Sequence, residues 1–183
     1  MARVTTRAFR SLVEPHLGAL FRAAYRLTGN KSNAEDLVQE TCVRAFLHVE
    51  ELHASRPVKG WLMRVQYNLF VDGVRRQWRS PIRLDNGADP TARFPSPEAT
   101  PEESTYRTQL EEQLQRAWLR VDKRHRALLA LRAEGYNLTE IAEITGLAED
   151  ALNARLYRAR ASLARHLREE RALEPGIRLE ITK

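Results

Sequence analysis

The chain has 183 residues, 43% of them apolar, with few glycines and prolines, which is enough for one ordinary domain or two small ones built from helices. It shows no signal-peptide pattern and no run of roughly 18 apolar residues, so we expect a cytoplasmic protein without membrane insertion. The net charge of +6 permits a nucleic-acid partner, although an ordinary basic surface would give the same value.

Few side chains in the chain suit catalysis or metal binding. The single cysteine, Cys42, excludes an intramolecular disulfide, and its place on the apolar side of a predicted helix favours a core residue over a reactive thiol. The histidines show no spacing with cysteine or acidic residues that is typical of a metal site. Because no nucleophile–base pair or phosphate-binding glycine loop is visible either, we expect no enzyme activity, no metal and no cofactor.

Apolar residues at helical spacing predict three or four helices in the first half of the chain, with clear helices over Leu12–Leu27, Asn33–Val49 and Val58–Arg79. The first ends at a stop signal around Gly29. The second begins with Asn33 as its N-cap and Asp36 at the N3 position, a variant of the capping box. The segment Leu52–Pro57 between the second and third helices is predicted to be a loop.

The helix over Asn33–Val49 has two opposite faces, and the composition of each is typical of a contact surface. Its apolar side, typical of a helix packed on a core, holds Ala34, Leu37, Val38, Thr41, Cys42, Ala45, Phe46 and Val49. The opposite side combines acidic and aliphatic residues with a flanking amide and a cation: Asp36, Gln39, Glu40, Val43, Arg44 and Leu47. A solvated face rarely aligns two aliphatic residues with two acids, so we interpret this side as a docking site for another protein.

The helix over Val58–Arg79 pairs an apolar stripe with a basic face. The stripe consists of Trp61, Leu62, Val65, Leu69, Phe70 and Val74. The opposite face carries Arg64, Asn68, Asp72, Arg75, Arg76 and Arg79, which could bind a phosphate backbone. Aromatic residues beside the preceding loop could stack on unpaired bases. Trp61 itself lies on the apolar stripe, which favours a core role over stacking.

Five prolines and several acids between Ser80 and Ser104 predict a break between two domains. We interpret residues 80–106 as a linker rather than an ordered surface loop, because ordered loops of this length are uncommon. Beyond it the spacing predicts four helices, over Thr108–Val121, Arg124–Glu134, Leu138–Thr145 and Glu149–Leu167. Gly176–Thr182 alternates like a short strand that could pair with a partner, but we interpret it as a frayed terminus.

The last two predicted helices have the form of a helix-turn-helix, with Gly146 in the turn and Leu147 closing it. The second helix has a leucine-rich stripe directed at the core. Its other faces carry Asp150, Asn153, Ala154, Arg155, Tyr157, Arg158, Arg160 and Arg165. Arginine and asparagine near the start of such a helix can contact base edges in a major groove. The alternative is a solvated basic helix, and the glycine-centred turn favours DNA binding.

Three segments together resemble the extracytoplasmic-function (ECF) sigma factors of bacterial RNA polymerase. They are NAEDLVQETCVRAF, VKGWLMRVQYNLFVDGVRR and NLTEIAEITGLAEDALNARLYRARASL, and the resemblance spans about residues 9–168. It implies an all-α fold of two helical domains joined by a flexible linker. Residues 1–79 would form sigma region 2, 80–106 the linker, 107–168 region 4 and 169–183 a C-terminal tail.

The resemblance also implies partners for the surfaces described above: core RNA polymerase (its β′ clamp helices and β flap), promoter DNA and an anti-sigma factor. The acidic and aliphatic side of the helix over Asn33–Val49 would bind the clamp helices. The −10 element would be melted by the Leu52–Pro57 loop together with Lys59, Arg64, Asn68, Asp72, Arg75 and Arg76. Capture of a flipped base would offset the few kcal/mol that unpairing costs. The −35 element would be read by Asn153, Ala154, Arg155, Tyr157, Arg158 and Arg160.

The chain departs from the family pattern at two places. Val121 and Asp122 stand where many members have Leu-Pro, and Asn153 and Ala154 stand where the reading helix often has a cation followed by serine. The second departure removes a cation and a hydroxyl that would contact DNA, so no −35 consensus sequence can be transferred to this chain.

Two other functions remain alternatives at the level of sequence. A stand-alone helix-turn-helix regulator would bind a specific duplex tightly without polymerase, but it leaves the acidic and aliphatic helix face unexplained. An interaction adaptor without a DNA role would bind its partners without the salt dependence that phosphate contacts impose.

Overall fold

The computed structural model describes residues 2–54, 57–79 and 101–173, and it gives the backbone alone for residues 2–5, 53–54, 75–79, 101–108 and 173. Within those ranges the chain is all-α, as predicted, with a 3-10 turn over Glu14–His16 and no strand. The helices are α1 (Ala2–Val13), α2 (Leu17–Thr28), α3 (Lys31–Leu47), α4 (Val49–Ala54), α5 (Val58–Arg79), α6 (Pro101–Arg120), α7 (Lys123–Ala133), α8 (Leu138–Thr145) and α9 (Glu149–Leu173).

The first predicted helix is divided in two. A single helix over Leu12–Leu27 is wrong, because the chain turns at Pro15, whose ring cannot continue the α-helical hydrogen bonding. The predicted stop is confirmed: Gly29 takes a left-handed conformation with φ 69° and donates its N–H to the carbonyl of Tyr25.

The N-terminus of α3 is capped one turn earlier than predicted. Asn30, rather than Asn33, is the N-cap, and its side-chain oxygen accepts the N–H of Asn33 at 3.1 Å. Because the helix begins at Lys31, Asp36 is not at the N3 position, and the predicted capping box is wrong.

The predicted loop over Leu52–Pro57 is also largely wrong, since α4 runs to Ala54 and residues 55–56 lie outside the described part. Leu52 is fully buried, so the helix is held by core packing. The sequence pattern missed α4 because a helix of two turns shows too little periodicity to stand out.

Side-chain caps set the first residues of helices α7 and α8 in the second half. Asp122, at the position where the family often has proline, accepts the N–H groups of Arg124 and His125 and caps α7. A capping box between Asn137 and Glu140 starts α8. Helix α6 begins at Pro101, inside the predicted linker, and proline at a first helical position is favourable.

The C-terminal helix α9 extends six residues past the predicted end at Leu167 and includes the start of the predicted tail. Glu170 is buried there, and it accepts hydrogen bonds from Arg116 at 2.7 Å and Arg120 at 3.3 Å on α6. The rest of the predicted linker, residues 80–100, and the alternating Gly176–Thr182 lie outside the described residues.

The two halves of the chain pack on each other, a contact that the sequence pattern did not predict. One hydrophobic cluster contains Leu20 of α2 and Leu62 and Met63 of α5 together with Tyr136 and Ile141 from the second half. A second cluster joins Leu27 of α2 to Trp118, Val121 and Ala130 of the second half. The surfaces described below therefore belong to a molecule in which helices α2 and α5 contact helices α6, α7 and α8.

Candidate docking and nucleic-acid surfaces

Helix α3 presents the predicted docking residues to solvent. We call this set the α3 strip, and all of its members are exposed: Asp36, Gln39, Glu40, Val43, Arg44 and Leu47. Val43 is 47% exposed and Leu47 70% exposed, although both are aliphatic. Arg44 donates to Glu40 at 3.2 Å, so these two side chains are held along the helix surface. The strip thus offers two carboxylates beside two uncovered aliphatic side chains.

The inner face of α3 fixes the orientation of the strip. Ala34, Thr41 and Ala45 are buried, and the Thr41 hydroxyl donates to the carbonyl of Leu37 within the helix at 2.7 Å. Burial raises the pKa of the Cys42 thiol, which keeps it protonated and fits a packing role.

Phe46 does not follow the predicted burial of this face. It is 44% exposed and makes an edge-on contact with Phe9 of α1, with ring centroids 5.3 Å apart. Helix α1 covers only part of the ring, so Phe46 extends the apolar surface around the α3 strip.

Helix α5 carries the residues that were predicted to contact the −10 element. Arg64, Asn68 and Asp72 are exposed. Lys59 is half-buried because it lies against the second half: its ammonium is 4.9 Å from the ring centre of Tyr136. The side chains of Arg75 and Arg76 lie outside the described residues. Trp61 packs against the core cluster, as its place on the apolar stripe predicted.

A cleft of about 290 Å³ separates the N-terminal part of α5 from α8. Pro57, Gly60, Trp61 and Arg64 line its first wall, and Tyr136, Glu140, Glu143 and Ile144 line its second. The cleft thus places one cation of the predicted −10 surface opposite two carboxylates.

Helices α8 and α9 form the predicted helix-turn-helix. Gly146 ends α8 with φ 69°, and Leu147 packs on the core after the turn. On α9 the stripe of Leu152, Leu156 and Ala159 is buried. The predicted −35 residues that are exposed are Asn153, Ala154, Tyr157, Arg158 and Arg160, whereas Arg155 is half-buried. Tyr157 is 75% exposed, so an aromatic ring and several guanidinium groups are available on the outer side of the helix.

Other kinds of site find no support among the residues that the structure describes. No group of three or more histidine, cysteine, aspartate or glutamate side chains there could hold a metal ion. In that same part of the chain, no helix is long and apolar enough to cross a membrane.

Two residues that join the halves, Glu134 and Trp118, were not predicted from the sequence to have any such role. Glu134 ends α7 and Trp118 lies on α6, and neither belongs to a motif. Glu134 binds Arg22 and Arg26 of α2, and the indole N–H of Trp118 donates to the carbonyl of Arg26, so these contacts depend on how α6 and α7 pack on α2.

The fold and surfaces define a class: an all-α, two-part protein that combines a helix-turn-helix with an exposed acidic and aliphatic docking strip. The family model "Sigma-70 region 2" matches residues 12–80, and "Sigma-70, region 4" matches residues 111–163. These two matches coincide with the two halves seen in the structure.

Individual relatives agree with the family models. The chain is 34% identical to ECF RNA polymerase sigma factor SigL of Mycobacterium tuberculosis, over 92% of this chain and 97% of that protein. It is 35% identical to ECF RNA polymerase sigma factor SigE of Mycolicibacterium smegmatis, over 85% of this chain but only 60% of that longer protein.

Two solved structures have the same fold. The sigma factor RpoE of Bartonella quintana, in complex with the anti-sigma factor NepR, aligns with a TM-score of 0.70, covering 87% of this chain and 96% of that one. At 24% identity, this match concerns the fold alone. CnrH in complex with the cytosolic domain of CnrY aligns with a TM-score of 0.59 at 27% identity, covering 92% of this chain and 94% of that one.

The chain belongs to the ECF sigma factors of the sigma-70 family. It is accordingly a subunit that binds core RNA polymerase and directs it to promoters, and sigma factors are transcription initiation factors rather than enzymes.

Proposed function

We propose that the α3 strip is the surface by which this sigma factor docks on core RNA polymerase, at the β′ clamp helices that the family resemblance implies. The exposure of Val43 and Leu47 next to two carboxylates is the observation that carries this assignment. Aliphatic side chains gain free energy when a partner removes them from water, at about 25 cal/mol per Å². The carboxylates add charge complementarity to a basic partner, which guides orientation and raises the association rate.

The role of α5 in this proposal is to bind and open the −10 element. Arg64 and Asn68 are exposed on one face and can contact phosphates and unpaired bases, and Lys59 would join them once it leaves Tyr136. The cations Arg75 and Arg76 follow on the same helix and extend this assignment by their sequence position.

The role of α9 is to read the −35 element from the major groove. Asn153 and Arg158 are the exposed side chains best suited to base edges, while Arg155 and Arg160 suit phosphates. The β flap of the polymerase is the contact that the family resemblance implies for this half of the chain.

Charge reversal on the strip tests the docking assignment. In the Asp36→Arg, Glu40→Arg double variant we expect core binding to collapse, because both carboxylates become cations while neither side chain is buried. The matched control is Glu35→Arg, an exposed acid on the same helix that lies outside the strip and pairs with Lys31 at 3.8 Å. If the double variant binds core polymerase as the wild type does while its circular dichroism is unchanged, the assignment is wrong.

We also propose that an anti-sigma factor restrains this protein by covering the α3 strip. Two of its structural neighbours were solved as complexes of a sigma factor with an anti-sigma partner. An inhibitor that covers the strip would block polymerase docking with the smallest contact area. In a complex with the cognate anti-sigma factor, we expect Asp36, Glu40 and Leu47 to be protected in a footprinting experiment, and accessibility of all three would refute the proposal.

The promoters recognised can be found by sequencing the DNA that the reconstituted holoenzyme retains. A stand-alone regulator would instead select the same DNA without polymerase, and it would leave the exposed α3 strip without a role.

A further inference from the structure

The outward face of α9 has an unusual composition for a helix assigned to DNA. Successive residues of a helix are rotated by about 100°, so the positions opposite the buried Leu152 and Leu156 recur at i, i+4 and i+7. Here they are Asp150, Ala154 and Tyr157, and all three are exposed. The middle of the face that would meet a DNA groove therefore carries a carboxylate, a methyl group and a phenol ring.

Cations lie on either side of this line. By the same rotation, Arg158 and Arg160 are each about 80° away from Asp150, on opposite sides, and both are exposed. Their guanidinium groups supply positive charge that attracts the helix to DNA. This attraction offsets the repulsion between the Asp150 carboxylate and the phosphates, so the helix can carry an acid on its central line and still enter a groove.

Small residues surround Asp150. Ala148, Ala151 and Ala154 are exposed, and Gly146 makes the turn that precedes them. Because none of these side chains extends beyond a methyl group, the start of α9 can come close to the floor of a groove. In helix-turn-helix proteins, residues near the start of the second helix are the ones that contact base edges. The short Asp150 side chain thus lies where a base edge is within its reach.

The Asp150 carboxylate is also available for such a contact. No hydrogen bond or ion pair joins its side chain to another residue in the described part of the chain. The acids at the starts of α7 and α8 differ in this respect: Asp122 accepts two N–H groups, and Glu140 accepts the N–H of Asn137 at 2.7 Å. Those two acids stabilise helix starts, whereas Asp150 points away from the fold.

A carboxylate in the major groove discriminates among bases because it only accepts hydrogen bonds. Cytosine presents the donor N4 amino group there, whereas guanine presents the acceptors N7 and O6, and thymine presents the acceptor O4. Adenine presents its N6 donor next to the acceptor N7, which makes it a poorer partner for a carboxylate. A carboxylate on the central line of α9 therefore favours cytosine and disfavours guanine and thymine.

We propose that Asp150 is a specificity residue of this sigma factor, which selects a cytosine in the −35 element by accepting a hydrogen bond from its N4 amino group. The inference rests on the proposed role of α9 as the helix that reads this element. It names one base of the element from a residue of this chain, where no consensus sequence can be transferred from the family.

The base preference is tested with the reconstituted holoenzyme and a promoter library randomised across the −35 element. Sequencing of the retained DNA should show a cytosine at one position for the wild type. In Asp150→Ala that preference should fall by about tenfold, with the other positions unchanged. In Asp150→Asn the position should change to adenine, because an amide bonds to both N6 and N7 of that base. Selection of the same element by wild type and Asp150→Ala overturns the inference.

Glu149→Gln is the matched control, because it removes an exposed acid from the same first turn of α9. It loses the same favourable charge at the start of the helix and the same repulsion from phosphates. Glu149 is rotated by about 100° from Asp150, so its variant should select the wild-type element. Helix content by circular dichroism should be equal in the two variants. If both bind all sequences more tightly, with preferences unchanged, Asp150 acts through its charge alone and the inference is wrong.

A modified base tests the contact itself. In a duplex, the methyl group of N4-methylcytosine replaces the amino hydrogen that is exposed in the major groove, while base pairing is retained. With this base at the selected position, the wild-type holoenzyme should lose affinity by about tenfold and the Asp150→Ala holoenzyme should lose none. An equal loss in both would show that Asp150 does not contact the amino group.

Asn153→Ala separates this inference from the proposed function. Asn153 is assigned to base edges independently of Asp150, so its variant should alter a different position of the selected element. If neither Asn153→Ala nor Asp150→Ala changes the element, α9 does not read it and the proposed function fails. If Asn153→Ala changes the element and Asp150→Ala does not, α9 keeps its proposed role and the inference about Asp150 alone is refuted.

Discussion

Leu119 of α6 lies against Gly29 so closely that a Cβ atom on Gly29 would overlap its side chain. Gly29 also has φ 69°, so an L-residue there is strained by its backbone as well as by the contact. We expect Gly29→Ala to lower the free energy of unfolding by roughly 1–2 kcal/mol for the left-handed backbone and by another 1–3 kcal/mol or so for overpacking. Urea unfolding measures the total.

Gly146 is the matched control for this variant. It has the same φ of 69°, but a Cβ atom there would meet nothing within 4 Å. Gly146→Ala should therefore show the backbone cost alone, and a Leu119→Ala change should recover part of the loss in Gly29→Ala but none in Gly146→Ala. Equal losses in the two glycine variants would mean that the contact between the halves is absent in solution.

Truncating the aliphatic part of the α3 strip should separate binding from stability. In Val43→Ser with Leu47→Ser, we expect core affinity to fall at least about tenfold, because two side chains no longer bury apolar area on docking. The unfolding free energy should stay within about 0.5 kcal/mol of the wild type, since both residues are exposed. A loss of stability equal to the loss of binding would indicate that these residues support the fold instead.

The proposed contact of α9 with the −35 element predicts how promoter binding depends on salt concentration. Arg160 is assigned to a phosphate, so Arg160→Ala should reduce the magnitude of the log–log salt slope of promoter binding by the holoenzyme by about 0.9, whereas Arg158→Ala, at a residue assigned to base edges, should leave the slope unchanged and relax sequence preference. Arg168→Ala, on the same helix but after the helix-turn-helix, is the control, because Arg168 bonds to the carbonyl of Ala164. An unchanged slope accompanied by relaxed sequence preference would assign Arg158 to base edges.

Asp122 stands where many family members have proline, and its loss should lower the stability of the protein. Asp122→Ala should cost about 1 kcal/mol, because two N–H groups at the start of α7 lose their acceptor. Asp122→Asn retains the acceptor and should cost little through the cap. Burial lowers the pKa of Arg126 to about 10, and the negative charge of Asp122 partly raises it again. Asp122→Asn removes that charge. Thermal unfolding of the two variants distinguishes the cap from the charge.

Acid should weaken the contacts of Glu169, which binds His166 within α9 and Arg120 on α6. A hydrogen bond with His166, together with nearby Arg120, holds the pKa of Glu169 below its usual value. Because the unfolded chain then binds more protons than the native one, this contribution is present above pH of about 4.5 and is lost as the pH falls through the lower folded pKa. Glu169→Gln should show a shallower loss of unfolding free energy with acid, and an identical pH profile would exclude this role.

The local features that the sequence predicted well are those fixed by neighbouring residues. Helix α8 has the predicted bounds because Asn137 and Glu140 form a capping box and Gly146 supplies the turn. The N-cap of α3 was predicted at the wrong residue because Asn30 and Asn33 are both suitable N-caps. In the structure Gly29 ends α2 in a left-handed conformation, and Asn30, the next residue, caps α3.

Features that depend on distant residues were not predictable in this way. The burial of Glu134 needs two arginines that lie more than 100 positions away in the chain. Phe46 has the spacing of a core residue, yet its exposure is set by how far α1 extends over it. The exposed faces of α3 and α9 could be predicted because helical periodicity assigns every residue to a side, whereas the partner of each buried side is decided by tertiary packing.

The pairing of α6 with α9 gives the second half a rigid frame. Arg116 and Arg120 bind Glu170 near the far end of a helix that begins in the helix-turn-helix, so the reading helix is fastened at both ends. Promoters differ in the number of base pairs between the two elements, and each added pair rotates one element about the DNA axis relative to the other. Because α9 is fastened to α6 at its far end, we expect it to follow that rotation only together with the rest of the second half, and any tolerance for promoter spacing would then come from movement of that half as a unit.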